Sequence, residues 1–109
     1  VYEASSEQRK SLHLAAVFTC NFANHMYALA GELLAKYDLP FEVMLPLIDE
    51  TARKVHELPP AEAQTGPAVR YDENVINKHL AMLAGEPVMQ DLYEKISKSI
   101  HELKLKQND

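Results

Sequence analysis

The feature that most limits the fold is a run of 20 residues, 12–31, that contains no Asp, Glu, Lys or Arg. A helix of about 20 apolar residues is long enough to cross a bilayer. Polar side chains lie near the middle of this run, however, where hydrocarbon would offer them no partners: Thr19, Cys20, Asn21, Asn24 and His25. The run therefore predicts a buried helix in a protein that does not enter a membrane.

Local signals set the ends of this helix. The sequence Ser5-Ser6-Glu7-Gln8 is a capping box and predicts the start. The helical pattern continues to about Lys36 and stops before Pro40, because the residue before a proline avoids the helical region. Since the segment is apolar nearly all round, we expect it to be the central element that the others wrap.

Three shorter helices are expected after it. The second runs from Pro40 to about residue 58, and Pro46 either kinks it or marks the start of its regular part. The third is capped by Asp72 and should stop at Gly85, a residue type suited to a left-handed C-cap. The fourth begins at Pro87. Without any useful strand-like alternation, the sequence predicts an all-α fold, with residues 1–109 as one helical domain and residues 61–71 as its only substantial loop.

Composition excludes several functional classes. The chain has 11 Lys+Arg against 16 Asp+Glu, a net charge of −5, which argues against a nucleic-acid-binding face. A single cysteine, Cys20, excludes an intrachain disulfide and fits a reducing, cytoplasmic compartment. The three glycines, Gly31, Gly66 and Gly85, are too far apart for a GxGxxG turn or a phosphate loop. We therefore expect no dinucleotide-binding loop in this chain.

The five histidines do not have the spacing of metal ligands. His56 and His101 are each followed by Glu, as in an HExxH motif, but Pro60 and Leu105 stand where the second His would be. No histidine has a Glu three residues before it, as a di-iron bundle requires. We expect no metal site, and ordinary surface or core roles for His56, His79 and His101.

The polar residues of the first helix form one candidate site. At about 100° per residue they fall on one face of a helix. Each unpaired amide or imidazole costs about 1–3 kcal/mol to bury. This face is therefore either a hydrogen-bonded buried network, a wet surface, or the wall of a substrate cleft. We call it the helix cluster, and its members are His13, Cys20, Asn21, Asn24 and His25.

A second candidate, the loop cluster, consists of Gln64, Thr65, Gly66 and Arg70. In the simpler interpretation Gly66 belongs to a turn and Arg70 is a surface charge. In the other, these residues present donors to an anionic or carbonyl ligand, for which the guanidinium fork is well suited.

Longer strings in the sequence resemble a known helical module. It is similar to the C-terminal domain of unknown function that follows a Rossmann-like domain in proteins classed as NADP-dependent oxidoreductases. The resemblance extends from about Ser5 to Ile100. The strings that carry it include Cys20-Asn21-Phe22-Ala23-Asn24-His25, and the most specific ones are His13-Leu14-Ala15-Ala16-Val17-Phe18 and the Gln64-Thr65-Gly66-Pro67-Ala68 part of Gln64-Thr65-Gly66-Pro67-Ala68-Val69-Arg70.

The resemblance implies a fold like that of the C-terminal helical domains of 6-phosphogluconate dehydrogenase. It also implies that an N-terminal Rossmann-like domain, absent from this chain, binds NADP, while the helical domain forms the homodimer interface and one wall of the substrate cleft. In the related dehydrogenases the long helix carries polar catalytic residues, at positions that correspond here to Asn21, Asn24 and His25. This run of helix has no Lys, so proton transfer would have to use His13 or His25.

We therefore expect the C-terminal substrate-side and dimerisation domain of an NADP-dependent oxidoreductase, inactive in isolation because hydride transfer is the chemistry of the cofactor. In the helix cluster, Asn21, Asn24 and His25 would orient an unidentified small substrate. In the loop cluster, Arg70 and the backbone of residues 64–66 would bind its anionic end. The chain begins without Met, as a fragment or processed product would. The alternative is a free-standing helical dimerisation or interaction module with no enzymatic context.

Overall fold

The computed structural model describes residues 5–108, and all regular secondary structure in that range is helical. The predicted all-α fold class is confirmed. The chain divides into two compact units, Val1–Leu45 and Pro46–Asp109, which are described in turn. The helices are α1 (Ser6–Ala16), a π-helical segment (Val17–Phe22), α2 (Ala23–Ala35), a 3₁₀ turn (Phe41–Met44), α3 (Leu45–Glu57), α4 (Pro60–Ala63), α5 (Glu73–Met82) and α6 (Pro87–Gln107).

One helix runs without a break through residues 6–35, and both of its ends follow the sequence signals. The Ser5 hydroxyl accepts from the Gln8 backbone at 3.1 Å, and the Gln8 side chain accepts from the Ser5 backbone at 2.8 Å. At the other end, Asp38 has a left-handed φ of 58°, and the Leu39 N–H bonds back to the Leu34 carbonyl at 3.0 Å. This is a Schellman ending with Asp in the place of the usual Gly.

The middle of this helix departs from α geometry at Val17–Phe22. In a π-helical turn the hydrogen bonds close five residues apart, so the turn holds about one residue more than an α turn. Residues beyond it are displaced by about 100° around the axis from their places on a uniform α-helix. Cys20 and Asn21 lie inside this segment and Asn24 lies beyond it. A uniform spacing therefore does not give the true arrangement of the helix cluster.

The 3₁₀ turn covers only part of α2. The Phe41 ring lies 6.5 Å from the Tyr27 ring, and a Cβ on Gly31 would lie 3.6 Å from Phe41 Cδ1. Within residues 5–45 no side chain is fully buried, and Leu14 and Phe18 are 61% and 62% exposed. The prediction of a buried helix is therefore wrong for this chain alone, because the residues that pack on it cover too little of its apolar surface.

In the second unit, proline and the N-cap act as predicted. The regular helix α3 begins at Leu45, so Pro46 occupies its second position, where the missing N–H costs nothing. Asp72 caps α5, with its carboxylate accepting from the Val75 N–H at 3.3 Å. Pro87 is the first residue of α6.

Two details of the second unit differ from the prediction. Pro60–Ala63 form a single helical turn inside the predicted loop. Helix α5 ends at Met82, before Gly85, and of the glycines in residues 5–108 only Gly66 has a positive φ. The predicted left-handed cap at Gly85 is therefore wrong. The chain enters α6 at once, through a bond of 2.9 Å from the Glu86 N–H to the Leu83 carbonyl.

The best-buried residues of the described chain lie in this second unit. Ile76 of α5 is only 2% exposed, and it shares the core with Ala68, Leu83 and Ser97. Because Ala68 belongs to the loop that carries Arg70, the loop is anchored to the core from within.

Candidate functional site

All five members of the helix cluster are exposed. Within residues 5–108 the side chains of His13, Asn21, Asn24 and His25 form no hydrogen bond, and Cys20 is a free thiol 3.6 Å from the Thr19 hydroxyl. The interpretation as a buried, internally paired network is therefore wrong. The imidazoles and amides have their donors and acceptors available to water, to a ligand or to another protein surface.

The helix that carries this cluster is also strongly apolar. Phe18 and Phe22 pack edge to face, with ring centroids 5.0 Å apart, and both are at least half exposed. Leu12 and Leu14 on the same helix are exposed as well. Large apolar side chains exposed together on one helix are typical of a contact surface.

The loop cluster lies in the second unit, at an ordered turn. Gly66 has a φ of 105°, and its carbonyl accepts from the Val69 N–H at 3.3 Å. The Gln64 side chain donates to the Thr65 carbonyl at 3.0 Å, so this amide stabilises the loop. Gly66 therefore lies in a turn, which is compatible with both interpretations of the loop cluster. Arg70 is exposed, and in the described part of the chain its guanidinium forms neither an ion pair nor a hydrogen bond.

His101 contacts two residues of this loop, and the sequence patterns gave no indication of these contacts. Its Nδ1 lies 3.2 Å from the Val69 carbonyl oxygen, and its ring lies 5.4 Å from the ring of Tyr71. Tyr71 has a φ of 50°, which is uncommon for a bulky residue. Because His101 and Val69 are 32 positions apart, no local motif connects them.

A second imidazole–tyrosine pair links α5 to α6. His79 Nδ1 lies 2.7 Å from the Tyr93 hydroxyl oxygen. Burial, and more weakly the nearby Tyr71, raise the pKa of Tyr93 above its usual value. His79 and His101 are half-buried and their ring nitrogens are hydrogen-bonded, whereas His56 is exposed on α3. The sequence predicted surface or core roles for these three without distinguishing them.

Several charged side chains of α3 and α6 pair along their own helix. Arg53 contacts Glu50 at 2.7 Å and Glu57 at 2.8 Å, and its hydrogen bond lowers the pKa of Glu50. Lys95 contacts Asp91 at 2.8 Å, which raises the pKa of the lysine. These pairs are solvent-exposed and screened by salt, so they describe wet helix faces.

Two kinds of feature were sought in the part of the chain that the structure describes: a group of metal-ligating side chains and a helix able to span a membrane. Among residues 5–108 no three His, Cys, Asp or Glu side chains are grouped so that they could hold a metal ion. The helices of the same range are each too short or too polar to reach across a bilayer.

Comparisons with known proteins identify the family of this chain and a similar solved structure. The model of the family described as "Domain of unknown function (DUF2520)" matches residues 1–100. A crystal structure of a "putative NADP oxidoreductase" from Bacteroides fragilis is 79% identical in sequence, with a TM-score of 0.91. The match covers 94% of this chain and 39% of that one, so the chain spans well under half of that protein. A search of curated proteins gave no match. The family resemblance seen in the sequence is confirmed, and the chain belongs to the DUF2520 family.

Proposed function

We propose that this chain is the C-terminal substrate-side and dimerisation domain of an NADP-dependent oxidoreductase. The observation that carries the proposal is the 79% identity to part of a protein described as an NADP oxidoreductase. The match covers 39% of that protein, so more than half of its chain lies outside the matched part and is long enough for a separate dinucleotide-binding domain. A cytoplasmic location belongs to the same proposal, and the single free thiol of Cys20 supports it.

The residues of this chain do not fit the dinucleotide. Gly31 lies inside α2, and Gly66 and Gly85 belong to separate turns, so no glycine-rich loop opens onto a helix N-terminus. The proposal therefore assigns NADP to an N-terminal Rossmann-like domain outside this chain. NADP supplies the hydride chemistry when bound, and this domain by itself is expected to be inactive.

The two clusters have separate roles in the proposal. In the helix cluster, Asn21 and Asn24 orient a carbonyl, hydroxyl or amine of the substrate, and His13 or His25 transfers a proton. The exposed, unpaired state of these side chains supports this role. In the loop cluster, Arg70 and the backbone of residues 64–66 bind an anionic group. The exposed guanidinium of Arg70 supports that assignment.

A second copy of this chain is the proposed partner of the helix through residues 6–35. Apolar side chains of this helix are exposed along much of its length: Leu12, Leu14, Phe18, Phe22, Met26 and Tyr27. A two-fold dimer covers the same surface on both copies. It would remove these side chains from water at about 25 cal/mol for each Å² of apolar surface buried.

Sedimentation tests the dimer. The wild-type chain should sediment as a dimer, and Phe18→Glu should produce monomers because the charge would be buried at the interface. The matched control is Val88→Glu, which changes an apolar residue that is 75% exposed in the second unit and should leave the dimer intact. A wild-type monomer at high concentration would remove dimerisation from the proposal.

The enzymatic part needs the longer protein that carries this domain. We expect NADPH to raise its melting temperature, and turnover to be found among imines, ketones and hydroxy acids. His25→Ala and Asn24→Ala should then lower kcat, whereas His56→Ala, which changes an exposed histidine of α3, should not. Failure of NADPH to bind the longer protein would overturn the oxidoreductase assignment.

The alternative is a free-standing dimerisation or interaction module, which the exposed apolar helix also favours. It predicts a start codon next to Val1. The oxidoreductase predicts an upstream strand followed by GxGxxG, so the gene sequence distinguishes the two.

A further inference from the structure

Arg70 lies between two residues that a single side chain of α6 contacts. On one side, the Val69 carbonyl oxygen lies 3.2 Å from His101 Nδ1. On the other, the Tyr71 ring lies 5.4 Å from the His101 ring. His101 therefore contacts both neighbours of Arg70: the backbone carbonyl of Val69 and the side chain of Tyr71.

The rest of the loop is anchored by other groups. Ala68 is buried, and the Tyr71 N–H donates to its carbonyl at 3.1 Å. The Asp72 N–H donates to the Pro67 carbonyl at 2.8 Å. The Val69 carbonyl, in contrast, receives its side-chain hydrogen bond from outside the loop, so the orientation of the peptide that leads into Arg70 depends on α6.

The chemistry of this contact defines the state of His101. A carbonyl oxygen only accepts hydrogen bonds, so Nδ1 must carry a hydrogen. The ring thus donates through Nδ1 and at the same time lies tilted against Tyr71, with 53° between the two ring planes. Tyr71 keeps a left-handed φ of 50°, a conformation that costs about 1–3 kcal/mol and persists only when neighbouring groups hold it.

We infer that His101 is a positioning residue that fixes the backbone at Arg70 and thereby prepares its guanidinium to bind a carboxylate or phosphate oxyanion. The inference rests on the proposed anion-binding role of Arg70. The guanidinium has no ion pair or hydrogen bond within residues 5–108, so its donors are available. An arginine whose backbone is already ordered loses less conformational freedom when it binds, which increases affinity.

Two anions and three variants test this in the full chain. The backbone amide ¹H–¹⁵N NMR signals of Thr65, Gly66 and Tyr71, which every variant retains, are followed during titration with inorganic phosphate and, separately, with malonate. His101→Phe keeps an aromatic ring beside Tyr71 but removes the donor, and should weaken binding about threefold to tenfold, as expected for one lost hydrogen bond. His101→Asn places an amide donor near the position of Nδ1 and should restore affinity to within about twofold. Arg70→Gln should abolish binding.

Amide hydrogen exchange supplies a second readout that does not need the anion. His101→Phe should speed exchange at Tyr71 and Asp72, whose N–H groups are hydrogen-bonded within the loop, and leave Ile76, in the core, protected as in the wild type. The control is His56→Phe, which changes an exposed histidine of α3 and should affect neither readout.

The outcomes separate this inference from the function on which it rests. Weaker binding and faster exchange in His101→Phe, with rescue by His101→Asn, support the inference, and the anion that binds identifies the ligand class. If His101→Phe binds as the wild type does while Arg70→Gln does not bind, the inference alone is overturned. If Arg70→Gln binds as tightly as the wild type, the anion-binding role of Arg70 falls, and the inference with it.

Discussion

The Nδ1 atom of His79 lies 2.7 Å from the hydroxyl oxygen of Tyr93, and the two half-buried rings meet edge to face. Tyr93→Phe would keep the ring contact and leave the imidazole nitrogen without its partner. We expect the free energy of unfolding to fall by about 1–2 kcal/mol. Urea denaturation followed by circular dichroism measures this. Tyr37→Phe is the control, since Tyr37 is 64% exposed, and an equal loss in both variants would show that the pair does not stabilise the fold.

The same tyrosine predicts a loss of stability in alkaline solution. Burial and Tyr71 raise the pKa of Tyr93 above its usual value of 10.0, so the folded chain keeps the phenol proton to higher pH than the unfolded chain does. The contribution of this raised pKa to the free energy of unfolding is fully present below about pH 10, and it is lost as the pH rises through the pKa of Tyr93 in the folded chain. Denaturation at a series of pH values should show a flatter alkaline dependence for Tyr93→Phe. An unchanged slope would mean that Tyr93 does not cause the loss.

The N-cap of α5 offers a test with a conservative control. Asp72 accepts a hydrogen bond from the Val75 N–H at 3.3 Å. Asp72→Ala should lower the free energy of unfolding by about 1 kcal/mol, and Asp72→Asn by only a few tenths, because Asn caps helices about as well as Asp does. Thermal unfolding of the three chains compares them. Equal destabilisation by Ala and Asn would indicate that the charge of Asp72, rather than its cap, stabilises the chain.

Two glycines should respond to Ala with opposite signs. Gly31 lies in α2, and a Cβ there would meet Phe41 at an ordinary contact distance of 3.6 Å. Gly31→Ala should therefore stabilise the chain by about 0.5–1 kcal/mol through helix propensity. Gly66 has a φ of 105°, so Gly66→Ala should destabilise it by about 1–3 kcal/mol even though the site has open space. Melting temperatures that shift in the same direction would contradict this reading of the two backbones.

The π-helical segment predicts the effect of a one-residue deletion. Deleting Thr19 should convert Val17–Phe22 into α-helix, because the wide turn then loses its extra residue. The faces of α1 and α2 should keep their alignment, so helix content by circular dichroism and the oligomeric state should both stay as in the wild type. Deleting Ala28, inside the regular helix α2, should instead rotate the residues beyond it by about 100° and weaken a dimer that needs apolar residues from both sides. A Thr19 deletion that loses the dimer as readily as the Ala28 deletion does would contradict this.

The parts of the fold that could be predicted depend on residues close together in the chain. The capping box of Ser5 and Gln8, the cap at Asp72 and the helix start near Pro46 each need only a few neighbouring residues. The prediction of a left-handed cap at Gly85 was wrong because the next helix begins only two residues later. The turn between the helices is closed by the bond from the Glu86 N–H to the Leu83 carbonyl and needs no left-handed residue. The π-helical segment could not be predicted, since one extra residue leaves an apolar run apolar.

The candidate sites were predictable to different degrees. The strings around His25 and Arg70 indicated the family, because they carry more information than hydrophobic periodicity does. The contact between His101 and Val69 joins residues far apart in the sequence and leaves no spacing to detect. The exposure of the helix cluster could not be predicted from the sequence either. An apolar pattern indicates that a helix face is buried in a contact, but it does not tell whether the contact is within the chain or with another molecule.

A helix with one wide turn has two registers. On one side of Val17–Phe22 the positions that share a face follow the phase of α1, and on the other they follow the phase of α2. A relative that lacks the extra residue would align with a single gap in this hexapeptide and keep both flanks. Helical wheels for this chain should therefore be drawn as two, and a gap at this place would mark the loss of the wide turn while the faces on both sides stay aligned.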